Sequence, residues 1–399
     1  MIYFDNAATT KPLDIAIKKF VEVSNSYFAN PSSLHSAGKN SKQIIEKSET
    51  EFKKIIDAKY GKLIFTSSAT LSNNIAITGK VEYLKGKIKK RKVKILYCES
   101  DHPSIVDTVK SQKDVEIKAL RFDKLYSKLN EKIDIEDYIL SIYFDSIKEF
   151  EPDFLILQWV NNENGLILPV EKIANFSRKV KDNITIHIDA VQGFLKLPFF
   201  NISDIDTISF SSHKFGGLKG SSILYLKDLT KIKPIFFGGG QMENLFPSTE
   251  NVASIAASIA TCNFLYTKIE KVFAENLEKK HYLCSLITED EILSKNLFFL
   301  SDMIFSKSTF SPYIIKIYNN KIPSQVLQNI LNDEKIMVSI GSACFSNKKK
   351  MIKDSYFYGI PEKLSDKGIR ISFFLDETKE QINIFIEKMK QIIVKYLDW

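Results

Sequence analysis

The stretch Ile184-Thr185-Ile186-His187-Ile188-Asp189-Ala190-Val191-Gln192 carries an apolar strand straight into an acid and an amide. A second stretch, Thr207-Ile208-Ser209-Phe210-Ser211-Ser212-His213-Lys214, carries another into a lysine flanked by Ser and His. Similar short apolar runs lie at 62–66, 93–98, 115–119, 154–160 and 222–226, with strands at 184–188 and 207–210 completing a set of seven. Longer amphipathic runs separate them, at about 71–84, after Pro103, at 135–150 and at 170–180. Strands alternating with helices predict an α/β fold with a mostly parallel sheet. A helix is expected ahead of it at 36–58, where Ile44, Ile45, Phe52, Ile55 and Ile56 keep helical spacing.

Beyond Gly238-Gly239-Gly240 the texture changes. One long helix is expected over 251–274, then a β-rich stretch at 313–318 and a terminal helix over 379–396. The chain therefore reads as a large α/β domain over 15–256 and a smaller α+β domain built from 1–14 and 257–399. A ligand cleft is expected between the two.

Composition narrows the function classes. Of 399 residues, 44% are apolar and 26% charged, the balance of an ordinary globular protein. No apolar run reaches the ~18 residues of a membrane span, and the start MIYFDNAATT has no signal-peptide pattern, so a cytoplasmic location is expected. The net charge of +8 comes almost wholly from lysine: Arg91, Arg121, Arg178 and Arg370 are the only arginines among 56 basic residues. The single dense basic run, Lys85 to Lys94, lacks aromatic interleaving and reads as a solvated loop, so no nucleic-acid partner is expected.

Cys98, Cys262, Cys284 and Cys344 form no CxxC pair and no cluster with histidine, so no metal cage is expected. The first three read as buried small hydrophobes. Cys344 follows Gly341-Ser342-Ala343 and precedes a polar run, the setting of a reactive loop thiol.

The ends of parallel strands are where open α/β sheets hold ligands. An acid at Asp189 and a lysine at Lys214 suit pyridoxal phosphate: the lysine binds the aldehyde covalently, and the acid keeps the pyridine nitrogen protonated. Thr66-Ser67-Ser68-Ala69-Thr70 joins a strand to a helix, and its backbone N–H groups form a candidate phosphate seat. Each signal alone has an ordinary counterpart, an N-cap or a surface lysine.

Together with other motifs they become specific. The chain resembles the cysteine desulfurases of the NifS/IscS kind, pyridoxal phosphate enzymes of the class V aminotransferase group with the fold type I architecture. The motifs carrying the resemblance are FDNAATT at Phe4, NPSSLHSAG at Asn30, FTSSAT at Phe65, SDHPSIVDT at Ser100 and VNNENG at Val160. They continue with HIDAVQ at His187, SFSSHK at Ser209, GGGQ at Gly238, STENV at Ser248, GSAC at Gly341 and GIRIS at Gly368.

The resemblance implies a catalytic set of Cys344, Lys214 and His102. It implies that Lys214 attaches the cofactor, His102 stacks on its ring and Asp189 meets the ring nitrogen. Asn162 and Gln192 would reach the phenolic oxygen. Ala69, Thr70, Ser211 and His213 would hold the phosphate, joined by Thr249 from the partner of a homodimer. Asn30 and Arg370 would bind the carboxylate of L-cysteine, a role for which a guanidinium fork is suited. Sulfur would pass as a persulfide on Cys344 to an acceptor or iron–sulfur scaffold protein, the only metal contact being a transient one there. For Arg91, Arg121 and Arg178 a solvated surface is expected. A selenocysteine lyase, an aminotransferase, or a weakly active sulfur-transfer scaffold are the alternatives.

Departures from the family pattern are concentrated. Met242-Glu243-Asn244-Leu245-Phe246-Pro247-Ser248-Thr249 stands where the family has ERGLRSGT, so two arginines are replaced by Glu243 and Phe246. Glu243 is expected to reverse a charge near an anionic ligand. Ser68 and Ser212 replace glycines, Leu71 replaces an acid, and Ile340 replaces a serine. After GIRIS, the family's arginine-bearing turn is Phe374-Leu375-Asp376.

Overall fold

The computed structural model describes residues 1–300, 309–340 and 353–397. A short strand β1 (Ile2–Tyr3) precedes seven strands of one sheet: β2 (Lys62–Thr66), β3 (Val93–Cys98), β4 (Val115–Leu120), β5 (Phe154–Gln158), β6 (Thr185–Asp189), β7 (Thr207–Ser211) and β8 (Ser222–Leu226). Their order is β2-β8-β7-β6-β5-β3-β4. Only β8 runs against its neighbours; the other four pairings are parallel. β5 to β8 are buried along their whole length, since helices cover both faces of such a sheet.

The order reverses beside β3: the chain steps outward to β4, then restarts with β5 on the other flank. That switch opens a crevice at the carboxyl ends of β3, β5, β6 and β7. Side chains alternate along a strand, so His187 and Asp189 share one face of β6, while Thr207, Ser209 and Ser211 share one face of β7.

The expected long helix over 251–274 is two helices, Val252–Tyr266 and Ile269–Thr288, bent by 73°. No Pro or Gly marks the break. Its cause is tertiary: Ile255, Ile259 and Leu265 pack in the core of the large sheet, whereas Leu283 and Ile287 pack with Ile2, Phe4 and Ile371 in a second core.

That second core lies on strands β9 (Leu297–Phe299), β10 (Ile314–Asn319), β11 (Ile336–Met337) and β12 (Gly368–Ser372). β12-β10-β9 form an antiparallel sheet, and β1 pairs with β11 in parallel. The segment after β1 then bridges the two cores. Asn6 Nδ2 donates to Glu377 Oε1 (2.6 Å) and to the Ser372 carbonyl (3.1 Å), and Thr10 N–H donates to the His213 carbonyl (2.9 Å).

The other arginines are more than solvated cations. Arg91 grips Asp153 through two bonds of 2.6 and 2.7 Å, and Arg178 donates to three carbonyls and to Asp206. Arg121 lies over the Tyr356 ring at 4.3 Å. The guanidinium fork ties loop ends that a lysine would not span. Cys98, Cys262 and Cys284 are all buried, as expected. Cys344 and the rest of the GSAC motif lie outside the described residues.

Candidate active site

His102, Asn162, Asp189 and Lys214 follow or end β3, β5, β6 and β7, so the switch-point crevice gathers all four. Two bonds bind the crevice across β3 and β5: Gln158 Oε1 accepts from the His102 backbone N–H (3.1 Å), and Gln158 Nε2 donates to Asn162 Oδ1 (3.0 Å).

Asp189 is buried, and both its oxygens accept from N–H donors: Val191 N on Oδ1 (3.0 Å) and Asn73 Nδ2 on Oδ2 (2.9 Å). His102 caps the helix Pro103–Lys110, its Nδ1 accepting from the Ser104 backbone N–H (3.1 Å). Burial lowers the proton affinity of His102, and Asp189 opposes that while Lys214 adds to it. The three groups therefore feel one another's charge.

Lys214 Nζ donates to the carbonyls of Ala7 and Ala8, each at 2.7 Å. Those carbonyls hold the amine through the FDNAATT segment, which explains why a motif at the N-terminus belongs to the site. Gln192 Nε2 donates to the same Ala7 carbonyl (2.8 Å), and Gln192 Oε1 accepts from Lys196 Nζ (3.3 Å). An ammonium or amine facing Oε1 fixes that amide with Nε2 as its outward donor.

The phosphate seat is also legible. Thr66, Ser222 and Ser211 are lateral neighbours on β2, β8 and β7, placing the Ser67–Thr70 turn beside the Ser211–Lys214 turn. Ser68 caps the helix Ala69–Lys87 by accepting from Leu71 N (3.2 Å). The N–H groups of Ala69 and Thr70 stay outside the helical ladder, as first-turn donors do, and make no bond among the described residues. Ser68 has φ −159°, and Ser212 is absent from the positive-φ residues, so neither needs the lost glycine. His213 is held by Thr9 Oγ1 at 3.1 Å, and burial drives its proton affinity down to about 3.

Arg370 sits at the opposite rim, almost fully buried. Its Nη1 donates to the Asn162 carbonyl (2.7 Å) and its Nη2 to Asp5 Oδ1 (2.9 Å). Nε has no partner among the described residues.

Two expected residues stand apart. Asn30 and Thr249 are both exposed, and neither hydrogen-bonds any residue above; Asn30 Oδ1 instead accepts from Ser32 N (2.9 Å). Conversely, Asn73, Ser104, Lys196 and Asp5 were not singled out as site residues. Helical spacing from the Ser68–Thr70 turn gives the signal for Asn73, an amide facing a buried sheet.

Within the chain, Glu243 does not face the candidate phosphate seat. It pairs with Lys62 at 3.6 Å, at the far end of β2 from Thr66, roughly 13 Å away at strand rise. Phe246 and Leu245 pack against an apolar cluster that includes Ile64, Leu224 and Ile232.

A lysine amine, a buried acid, an imidazole that burial keeps neutral and the open N–H groups of a helix start are groups that fit pyridoxal phosphate. Fold and site together define a pyridoxal phosphate enzyme of fold type I. The chain matches the class-V aminotransferase family over residues 2–385 and belongs to it. Relatives lie among the NifS-like proteins. A NifS/IcsS protein homolog of Lactobacillus delbrueckii subsp. bulgaricus is 30% identical over 98% of this chain and 97% of its own. The cysteine desulfurase IscS of Dictyoglomus turgidum is 28% identical over 99% and 95%. A NifS-like protein of known structure superposes with TM-score 0.81 at 26% identity, covering 98% of this chain and 99% of that one.

Proposed function

We propose that the chain is a cytoplasmic cysteine desulfurase: L-cysteine and the Cys344 thiol give L-alanine and a Cys344 persulfide. The sulfur then serves an acceptor protein for iron–sulfur clusters or thiolated cofactors and tRNA. The carrying observation is the pairing of Ser339 with Arg370, whose backbones exchange bonds of 3.1 and 2.6 Å. Cys344 follows Ser339 by five residues, a tether of at most roughly 17 Å in extended chain. That tether is long enough for the Cys344 thiol to reach a substrate whose carboxylate Arg370 would hold.

The roles follow from the residues. Arg370 would orient the substrate by its carboxylate, a task for which a guanidinium fork is suited. Asp189 would hold the proton on the ring nitrogen, and Ala69, Thr70, Ser211 and His213 would seat the phosphate. When bound, the cofactor supplies an aldehyde for amine capture and a ring that accepts electrons. The Lys214 amine would take the proton from the substrate Cα and return one to the product. Neutral His102 would lie beside the ring. Cys344, as thiolate, attacks the substrate sulfur: an S–S bond forms, the substrate C–S bond breaks, and its electron pair leaves with the three-carbon fragment.

A homodimer belongs to this reading. Phe28 and Leu34 are 81% and 88% exposed on either side of Asn30, and Phe237 is 87% exposed near the Thr249 segment. Apolar side chains bare beside two expected ligand-binding residues suit a partner subunit that covers them.

The test is alanine formation from L-cysteine by the holoenzyme, with Cys344→Ala as control. Alanine and protein persulfide in the wild type, both lost in the variant, are expected. A cofactor spectrum that responds to cysteine without alanine would overturn the reading.

A further inference from the structure

Asn73 lies on the helix Ala69–Lys87 with no exposed surface, under the crevice. Its amide meets three groups: Nδ2 donates to Asp189 Oδ2 (2.9 Å) and to Ser104 Oγ (2.8 Å), and Oδ1 meets His187 Nε2 (3.1 Å).

A carboxylate only accepts, so Nδ2 must face Asp189 and Oδ1 must face His187. That orientation puts a proton on His187 Nε2 and leaves its Nδ1 to accept from the Thr207 hydroxyl, 2.8 Å away. Full burial keeps His187 neutral, its proton affinity driven down to about 3. On the other limb, Ser104 Oγ accepts from Asn73 and turns its own proton to His102 Nδ1, 2.8 Å away. His102 Nδ1 also accepts from the Ser104 backbone N–H, so the imidazole proton sits on Nε2.

We propose that Asn73 is a positioning residue that couples Asp189 to His102: it aims the carboxylate that meets the ring nitrogen and, by turning the Ser104 hydroxyl proton to His102 Nδ1, adds to the Ser104 backbone N–H a second donor that favours the neutral imidazole. The proposal rests on reading Asp189 and His102 as cofactor-facing, and it goes beyond that reading by making one buried amide responsible for both. Asp189, Lys214, Glu163 and Asp107 supply the charges acting on His102, while the Ser104 backbone N–H and hydroxyl are the two groups that meet its Nδ1.

The experiment is nitrogen-15 NMR of the imidazoles in the full-length cofactor-free protein, with cofactor affinity measured in parallel. The variants are Asn73→Asp, Ser104→Ala and Ser104→Thr. The wild type is expected to show Nε2–H at both His102 and His187. Asn73→Asp keeps the size but offers no donor and sets a carboxylate against Asp189; pyridoxal phosphate should bind at least ~10-fold more weakly. Ser104→Ala cuts only the His102 limb, and the His102 titration should move up by about one pH unit, with Ser104→Thr restoring it. If Asn73→Asp fails to fold, Asn73→Ser replaces it, with the same expected loss of cofactor affinity and the same upward His102 shift. Unchanged His102 spectra in Ser104→Ala, or unchanged cofactor affinity in folded Asn73→Asp, overturns the proposal. Alanine formation tests the desulfurase reading alone, so the two can fail separately.

Discussion

The wall of the crevice around Asp189 and the segment from Phe236 to Thr249 are opposites in polar order. In the wall, Asn73, Ser104, His187 and Thr207 spend their donors and acceptors on one another, and all are buried. In the segment, Met242, Glu243 and Asn244 take left-handed backbone angles (φ 45°, 57° and 61°). Glu243 pairs outward with Lys62, and Phe237 stands in solvent. A buried network is intolerant because each lost partner strands another polar group at a cost of about 1–3 kcal/mol. Within the chain, the segment's charged side chain is tied to the rest of the fold only through an exposed ion pair.

The sharpest way to break this contrast is at Lys214. Its amine is parked on two carbonyls at 2.7 Å, so the fold spends structure on holding it ready. Lys214→Ala should lower alanine formation at least ~10³-fold and abolish borohydride-stable attachment of the cofactor, read by mass spectrometry. Attachment surviving in the variant would move the chemistry to another amine and dissolve the assigned wall.

How much of this was readable beforehand divides along the same line. The seven strands could be found because β5 to β8 are buried end to end and so read as apolar runs. Asp189 and Lys214 could be found because strand ends are where such sheets place chemistry. The break near Thr267 could not, since no local residue encodes it and two separate cores impose it. Lys196 was hidden among 52 lysines, because burial is a property of the fold. Glu243 shows the converse: a charge has no direction in a sequence, and within the chain the left-handed turn brings this one to Lys62.

Lys196 offers an intermediate test. It is almost fully buried, bonded to Gln192 Oε1 and close to the Tyr313 and Phe374 rings at 5.9 and 6.0 Å. Burial first, then Lys214 and Arg370, push its amine down to about 7 from 10.5. Below about 7 the amine is charged folded or unfolded, and the burial penalty is felt in full. Between about 7 and 10.5 the unfolded chain holds a proton that the folded chain lacks. Stability must therefore rise with pH in that window, by up to ~1.4 kcal/mol per pH unit for this group. Urea unfolding of Lys196→Met should lose that slope relative to the wild type. Parallel slopes would mean the amine stays charged in the fold, with a partner that holds it so.

The smallest effect is expected at Glu243→Arg, which restores the family's charge. Glu243 and Lys62 are each nearly half exposed (47% and 44%), and such a pair contributes about 0–1 kcal/mol. Stability should fall by less than ~1 kcal/mol, because an arginine there meets Lys62 and gains nothing from the turn. Cofactor affinity should stay within about twofold, since roughly 13 Å of strand separates Lys62 from the phosphate seat and salt screens what remains. Titrating cofactor into both proteins checks this directly. A tenfold gain in affinity would show that Glu243 does look onto a phosphate, which in a dimer means the neighbouring subunit's. The segment and the wall would then be two halves of one site, with the charge reversal a brake on it.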